Sequence, residues 1–231
     1  VSGSTFTGSS TSPVGISAAA ANTTVSGSVK GSTFTTVRNA VTSSGATGNI
    51  TVDGNTFTGC GDAAATGIGV FTSTGGVMYL TNNTITGSKA TYYVLEANGG
   101  MLDAHFNTIT GNTLNARQDA STLNASHNWW GTGGPVASSL SAVTSASLIT
   151  TPYLNGAVTG GTVAFGSNSF TARTTAGVDV ATSNGTLVSV IAAKYAANPQ
   201  TAAPTGTPIA YYDVSFAVAP GAEPGAVTIR F

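Results

Sequence analysis

Three ionisable side chains in this 231-residue sequence stand where they could act together. Asp103 and His105 lie two residues apart in Met101-Leu102-Asp103-Ala104-His105, a segment in which apolar and polar residues alternate. On an extended strand such residues share a face, about 7 Å apart. A carboxylate and an imidazole on one face are a general acid–base couple. Asp53 holds the position of His105 in an earlier copy of the same segment, with one further copy between them. If the copies stack at strand spacing, Asp53 is about 10 Å away along the stack. Glycoside hydrolysis needs two carboxylates about 5–9.5 Å apart. No second acid is so placed beside Asp103, and no Lys or Arg joins the group. The expectation is a solvated polar face without a catalytic set, Asp103, His105 and Asp53 being its candidates.

The remaining chemistry is sparse. Arg117 and Asp119 share a short segment and read as a surface pair, and His127 reads as a packing or hydrogen-bonding residue. Glu96 and Asp62 have no evident partner, and the single Cys60 reads as a small residue tucked behind a turn. Tyr79, Tyr92 or Tyr93, and Phe106 could present aromatic faces to sugars or could pack in the core. Zinc spacings, nucleophile motifs, phosphate loops and calcium nonapeptides are all missing, so neither a metal nor a cofactor is expected.

What positions these residues is a repeated phrase. It reads GSTFTG at Gly3, GSTFTT at Gly31, GNTFTG at Gly54, NNTITG at Asn82, FNTITG at Phe106 and HNWWGT at His127. Its central apolar residues, Phe6, Phe34, Phe57, Ile85, Ile109 and Trp130, are separated by 28, 23, 28, 24 and 21 residues. A Gly-, Asn- and Thr-rich unit of that length is one coil of a solenoid. The apolar residues form a predicted core stack. Ser4, Ser32, Asn55, Asn83, Asn107 and Asn128 form a ladder at the corner before it, where Asn tolerates left-handed angles and its amide can bond the next coil. Ser bonds less well, so the first two corners should be weaker. Two outward rows follow: Asp53, Thr81, His105 and Ser126, and beside them Thr51, Tyr79, Asp103 and Asn124. Apolar segments at Val14–Ile16, Val37–Val41, Ile68–Phe71 and Tyr92–Leu95 supply a third wall, and Gly75-Gly76 and Gly99-Gly100 close the coils.

The repeat resembles that of right-handed parallel β-helices, the fold of pectin lyase-like proteins. His127–Pro135, HNWWGTGGP, with Thr151-Pro152-Tyr153-Leu154 after it, is similar to the last rung of many secreted bacterial and archaeal β-helix proteins. The resemblance covers roughly residues 1–154 and implies about six rungs. It also raises an enzyme reading, since polysaccharide lyases and hydrolases use this fold. Lyases of that type need clustered acids for calcium and a basic residue. The repeats specify a fold far more than a function.

After Leu154 the phrase stops. Short alternating segments at Thr162–Phe165, Ser169–Thr174, Thr186–Lys194, Ile209–Val218 and Ala226–Phe231 alternate with turn-rich stretches. Residues 155–231 are therefore expected to form a small immunoglobulin-like β-sandwich. The fold class is all-β.

Composition narrows the role. The chain has 7 Lys and Arg, 8 Asp and Glu and a net charge of −1, yet 41% of it is apolar. Scattered basic residues give no footprint for nucleic acid, and no apolar run is long enough to span a bilayer. A surface built on Ser, Thr, Asn and Gly suits an extracellular or cell-surface setting. Sequons at Asn22, Asn49, Asn82, Asn124 and Asn184 would permit glycosylation. The sequence opens in mid-rung without a polar cap, Val1-Ser2-Gly3-Ser4 matching Val29-Lys30-Gly31-Ser32. The expectation is a structural or adhesive protein whose copies associate head to tail as a homo-oligomer. The alternative is a carbohydrate-active or sugar-binding module acting on an extracellular polysaccharide.

Overall fold

The computed structural model describes the chain except residues 9–14, 20–23, 25, 45–46, 62–69, 90, 92, 144–146, 166–168, 171–176, 184–186, 201, 203 and 224. The expectations for Val14, Asn22, Asp62, Ile68, Tyr92 and Asn184 lie outside the described residues. The chain divides into two compact units, Val1–Asn155 and Gly156–Phe231.

The first unit is a parallel β-solenoid of about five turns. One sheet carries the phrase itself: β1 (Thr5–Thr7), β4 (Thr33–Thr35), β7 (Thr56–Thr58), β10 (Thr84–Thr86) and β13 (Thr108–Thr110). A second holds β3 (Gly27–Lys30), β6 (Asn49–Asp53), β9 (Val77–Thr81), β12 (Met101–His105), β15 (Leu123–Asn124) and β17 (Leu148–Ile149). The third holds β2 (Ile16–Ala19), β5 (Val41–Ser44), β8 (Phe71–Ser73), β11 (Tyr93–Ala97), β14 (Leu114–Gln118) and β16 (Leu140–Ala142). The turn count falls short of six rungs because HNWWGT adds only one bridge, Thr108 to Trp129, and no strand.

Parallel register superimposes like on like. Phe6, Phe34, Phe57, Ile85 and Ile109 are successive partners. The Phe6, Phe34 and Phe57 rings stack with centroids 4.6 and 4.7 Å apart, which is the strand spacing itself. Phe71 from the third sheet meets Phe57 edge-on at 4.7 Å. Trp130 continues the column at 6% exposure.

Coil shape depends on a few positions without side chains. A Cβ on Gly100 would run into Ser73 Oγ and the Gly75 backbone, so the Gly99-Gly100 turn nests on the one below it. The corner before the phrase differs from expectation. The left-handed residue is the one preceding the ladder position: Gly3, Gly31, Gly54, Asn82, Phe106 and His127, with φ between 54° and 65°. The Asn is thus selected for its amide, because its side chain must point inward to bond the neighbouring coil, while the turn is made one residue earlier.

The second unit contains two three-stranded antiparallel sheets. One orders β18 (Val158–Phe165), β21 (Leu187–Tyr195) and β22 (Tyr211–Val218); the other orders β19 (Ser169–Phe170), β20 (Asp179–Thr182) and β23 (Val227–Arg230). Val180, Leu187, Val190 and Ala192 are buried in one cluster with Val214, Val218 and Val227 against it, so the sheets face each other across a shared core. Strand β20 escapes the sequence pattern because Asp179–Thr182 is short and bounded by neither Pro nor a long apolar run.

Candidate functional site

The described outer polar face belongs to the sheet of β6, β9, β12 and β15. Register aligns Asp53, Thr81 and His105 in one row, and Thr51, Tyr79, Asp103 and Asn124 in the next. His105 Nε2 lies 2.7 Å from Asp103 Oδ1, side chains 12% and 24% exposed. The contact is close, but its geometry leaves Asp103 Oδ1 without a hydrogen bond. The other ring nitrogen, Nδ1, is 2.9 Å from the Ser126 carbonyl oxygen. A carbonyl only accepts, so Nδ1 carries hydrogen and donates across the rung.

Asp, His and Ser in contact suggest a nucleophile triad, and the geometry rules one out. Ser126 is 6% exposed, and its hydroxyl donates to Asn124 Oδ1 at 3.0 Å. His105 Nδ1 is 3.5 Å from that hydroxyl and is already a donor to the Ser126 carbonyl, so it cannot take the hydroxyl proton. With its hydrogen on Asn124, the Ser126 hydroxyl accepts from His127 Nδ1 at 3.1 Å. The result is a braced network with no poised base.

Asp53 is separate from it. Its Oδ1 accepts from Thr81 Oγ1 at 2.8 Å and Asn82 Nδ2 at 3.1 Å, both on the next rung. The two carboxylates stay two rungs apart, on adjacent rows.

The ladder positions all engage their neighbours. Asn55, Asn83 and Asn107 each donate from both the backbone nitrogen and Nδ2 to the Oδ1 of the next Asn in the ladder, at 2.8–3.0 Å. Their Nδ2 groups reach back to Val29 O, Val52 O and Leu80 O at 2.9 Å, and Asn128 reaches Ala104 O at 2.8 Å. Ser32 has a shorter reach: its Oγ takes Ser4 N at 3.2 Å and gives to Lys30 O at 3.0 Å.

A partner was hidden from the sequence. Glu96 is 2% exposed and lies directly opposite Arg117 on the next rung, Oε1 3.8 Å from the guanidinium. Arg117 Nε donates to Asp119 at 2.9 Å, and that bond, against partial desolvation, holds the guanidinium proton more firmly than usual. The signal was available: Glu96 and Arg117 are 21 residues apart, the interval between Ile109 and Trp130. Phe106, considered as a sugar platform, is 1% exposed and packs instead, whereas Tyr79 is half-buried on the outer row beside Asp103. Burial pushes the Cys60 thiol up to about 11. Among the described residues no three His, Cys, Asp or Glu side chains gather as metal ligands, and no helix is long and apolar enough to cross a membrane.

No protein-family model matches the sequence, and neither a curated protein nor a solved structure shows significant similarity to it.

Proposed function

We propose that this chain is an extracellular structural or adhesive protein, a low-charge β-solenoid shaft with a β-sandwich unit, whose copies associate head to tail into a fibre or surface layer. One observation carries the reading. Among the described residues, several ionisable groups of the solenoid bond from rung to rung, Asp53 to Thr81 and Asn82, His105 to the Ser126 carbonyl and Glu96 to Arg117, while Asp103 meets His105 on its own strand. They brace the coil where an enzyme would leave them facing a substrate. The like-on-like register also means that the edge of one rung matches the edge of any other, which favours open, heterologous stacking. The pectin lyase-like kinship, and Asn128-Trp129-Trp130-Gly131 as a closing rung, belong to this proposal. They are supported by Trp130 lying over the core column and by Leu154 N donating to Asn128 O at 2.9 Å. Electron microscopy and light scattering over a concentration series test the assembly: fibres or a mass that grows with concentration are expected, and dispersed monomers at high concentration contradict it.

A second reading has its own support. Asn82, Phe106 and His127 adopt left-handed φ angles where earlier corners use Gly, and such backbone strain concentrates at functional sites. They flank Asp103, His105 and half-buried Tyr79, a face that could hold a sugar. A polysaccharide panel with and without calcium separates the readings, because cleavage or binding abolished by Asp103→Ala would favour the second.

A further inference from the structure

The sandwich has one side on which both sheets end. Among the described residues, strand β22 is the last strand of its sheet and β23 the last of the other. The Tyr212 and Phe231 rings, 4.9 Å apart, bring these two edges to the same side. Along β22, Tyr212, Val214, Phe216 and Val218 share the face turned to the core, opposite Lys194, Ala192, Val190 and Leu187. Along β23, Val227 and Ile229 do the same, Ile229 pairing with buried Val180. Yet Phe216 is 36%, Ile229 38% and Phe231 64% exposed. These core-facing residues stay open to solvent, beside a cleft of about 550 Å³ lined by Pro208, Ile209, Ala210, Tyr212 and Phe231.

The edge itself defines the chemistry of whatever covers it. Eight residues of extended backbone, Tyr211–Val218, contain no Lys, Arg or Pro and one charge, Asp213. Such an edge offers a row of peptide donors and acceptors to another strand, with none of the residues that usually block pairing. The occupant must be extended, nearly uncharged, and apolar on alternate residues. This strand meets its own requirements.

We propose that β22 pairs antiparallel with β22 of a second copy of this chain, on a two-fold axis through Ser215. In-plane pairing keeps core-facing residues on the same side in both copies only if partner positions sum to an even number. Centring on Ser215 sets Phe216 against the partner's Val214, Tyr212 against the partner's Val218, and Asp213 against the partner's Ala217. Of the axes that keep this parity, only those at Val214 and Ser215 pair seven residues of the strand, and centring on Val214 would bring the two Asp213 carboxylates to diagonal neighbours, about 7–8 Å apart, so Ser215 is the long register that separates like charges. Each three-stranded sheet then continues into the other, about 4.8 Å away, and the open mouths holding Phe216, Ile229 and Phe231 close on each other. The contact is lateral and closed. It goes beyond the head-to-tail stacking proposed above and stands without it.

Cysteine trapping in the 231-residue chain tests this, since Cys60 is buried and leaves an added thiol as the reactive one. Directly opposed antiparallel residues have Cα atoms about 4.5–5.5 Å apart, within disulfide reach. Ser215→Cys is expected to form a covalent dimer under mild oxidation. Asp213→Cys alone should not, while a mixture of Asp213→Cys and Ala217→Cys chains should. A Ser215→Cys chain that stays monomeric, or crosslinking that is equal at all three positions, overturns the proposal. Ser215→Lys places two ammonium groups face to face and should weaken dimerisation about fivefold or more by light scattering. Mixing it with Ser215→Glu should restore the dimer. Unchanged dimerisation of Ser215→Lys also overturns it. Head-to-tail fibres would survive these substitutions, so the two associations fail separately.

Discussion

Asn107 Oδ1 accepts from both the backbone nitrogen of Asn83, at 3.0 Å, and its side-chain amide, at 2.8 Å, so one buried atom ties two coils twice. The same residue's Nδ2 returns bonds to Leu80 O and His105 O, at 2.9 and 3.0 Å. Asn107→Ala strands the Asn83 donors in a dry interior. The cost expected is about 2–4 kcal/mol in urea unfolding, from the desolvated groups left without acceptors. Asn107→Asp should recover part of this loss, because it keeps the acceptor.

The Ser corners are the converse case. Ser32 is 1% exposed and makes fewer rung-to-rung bonds than the Asn positions above it. Ser32→Asn should therefore stabilise the solenoid by about 1 kcal/mol. A lower unfolding midpoint would mean that the corner has no room for the amide.

Arg117→Ala removes the guanidinium opposite a carboxylate that is 2% exposed. Its guanidinium is partly exposed, so a loss of about 1–3 kcal/mol is expected, less than for a fully buried pair. The double variant Arg117→Ala, Glu96→Gln should be more stable than Arg117→Ala alone, since the remaining side chain no longer carries a charge. An effect of Glu96→Gln that is the same with and without Arg117 in a double-mutant cycle would show the two residues to be uncoupled.

Cys60 makes stability depend on alkaline pH. Its folded-state value, raised by burial from 9.0 to about 11, keeps the thiol protonated where the unfolded chain's thiol ionises. Below pH 9 both states hold the proton and the contribution is complete. Between about pH 9 and 11 the unfolded state is favoured progressively, so stability falls as pH rises. Unfolding free energy over that range should fall more steeply for the native chain than for Cys60→Ala. The native thiol should also resist aromatic disulfide reagents at pH 8 and react on unfolding.

Gly134 has a fixed neighbour as well. A Cβ there would lie 2.7 Å from the Tyr153 ring, and its φ is +81°. Gly134→Ala should cost about 1–3 kcal/mol through clash and backbone strain, and Tyr153→Ala should relieve only the clash.

The solenoid was legible because its register rule is simple. When Phe6, Phe34 and Phe57 recur in one phrase, parallel stacking leaves them no arrangement except one ring over another. The outer rows follow from the same offset, and Asp103 and His105 share a face because they stand two residues apart on one strand. What the phrase does not carry was harder to see. Strand β14, Leu114–Gln118, lies between phrases and mixes Asn, Arg and Gln with its apolar residues, so its alternation is weak. The pairing of Glu96 with Arg117 is obscured in the sequence for that reason. The ring tautomer of His105, which excludes a triad, depends on the Ser126 carbonyl, and no residue identity encodes a backbone acceptor. Likewise Phe216 and Ile229 look like ordinary core positions until the sheets are seen to end beside them.

The central claim, that the polar groups of the solenoid brace rungs and do not serve a ligand, is tested most directly by thermal unfolding of the native chain and Asp103→Ala across a polysaccharide panel, with and without calcium. Loss of the His105 contact should lower the variant's Tm by about 2–4 °C in every condition, from roughly 1 kcal/mol, and no polysaccharide should move either protein. A polysaccharide that raises the Tm of the native chain but not of the variant would contradict the account, because only a ligand bound at Asp103 produces that difference.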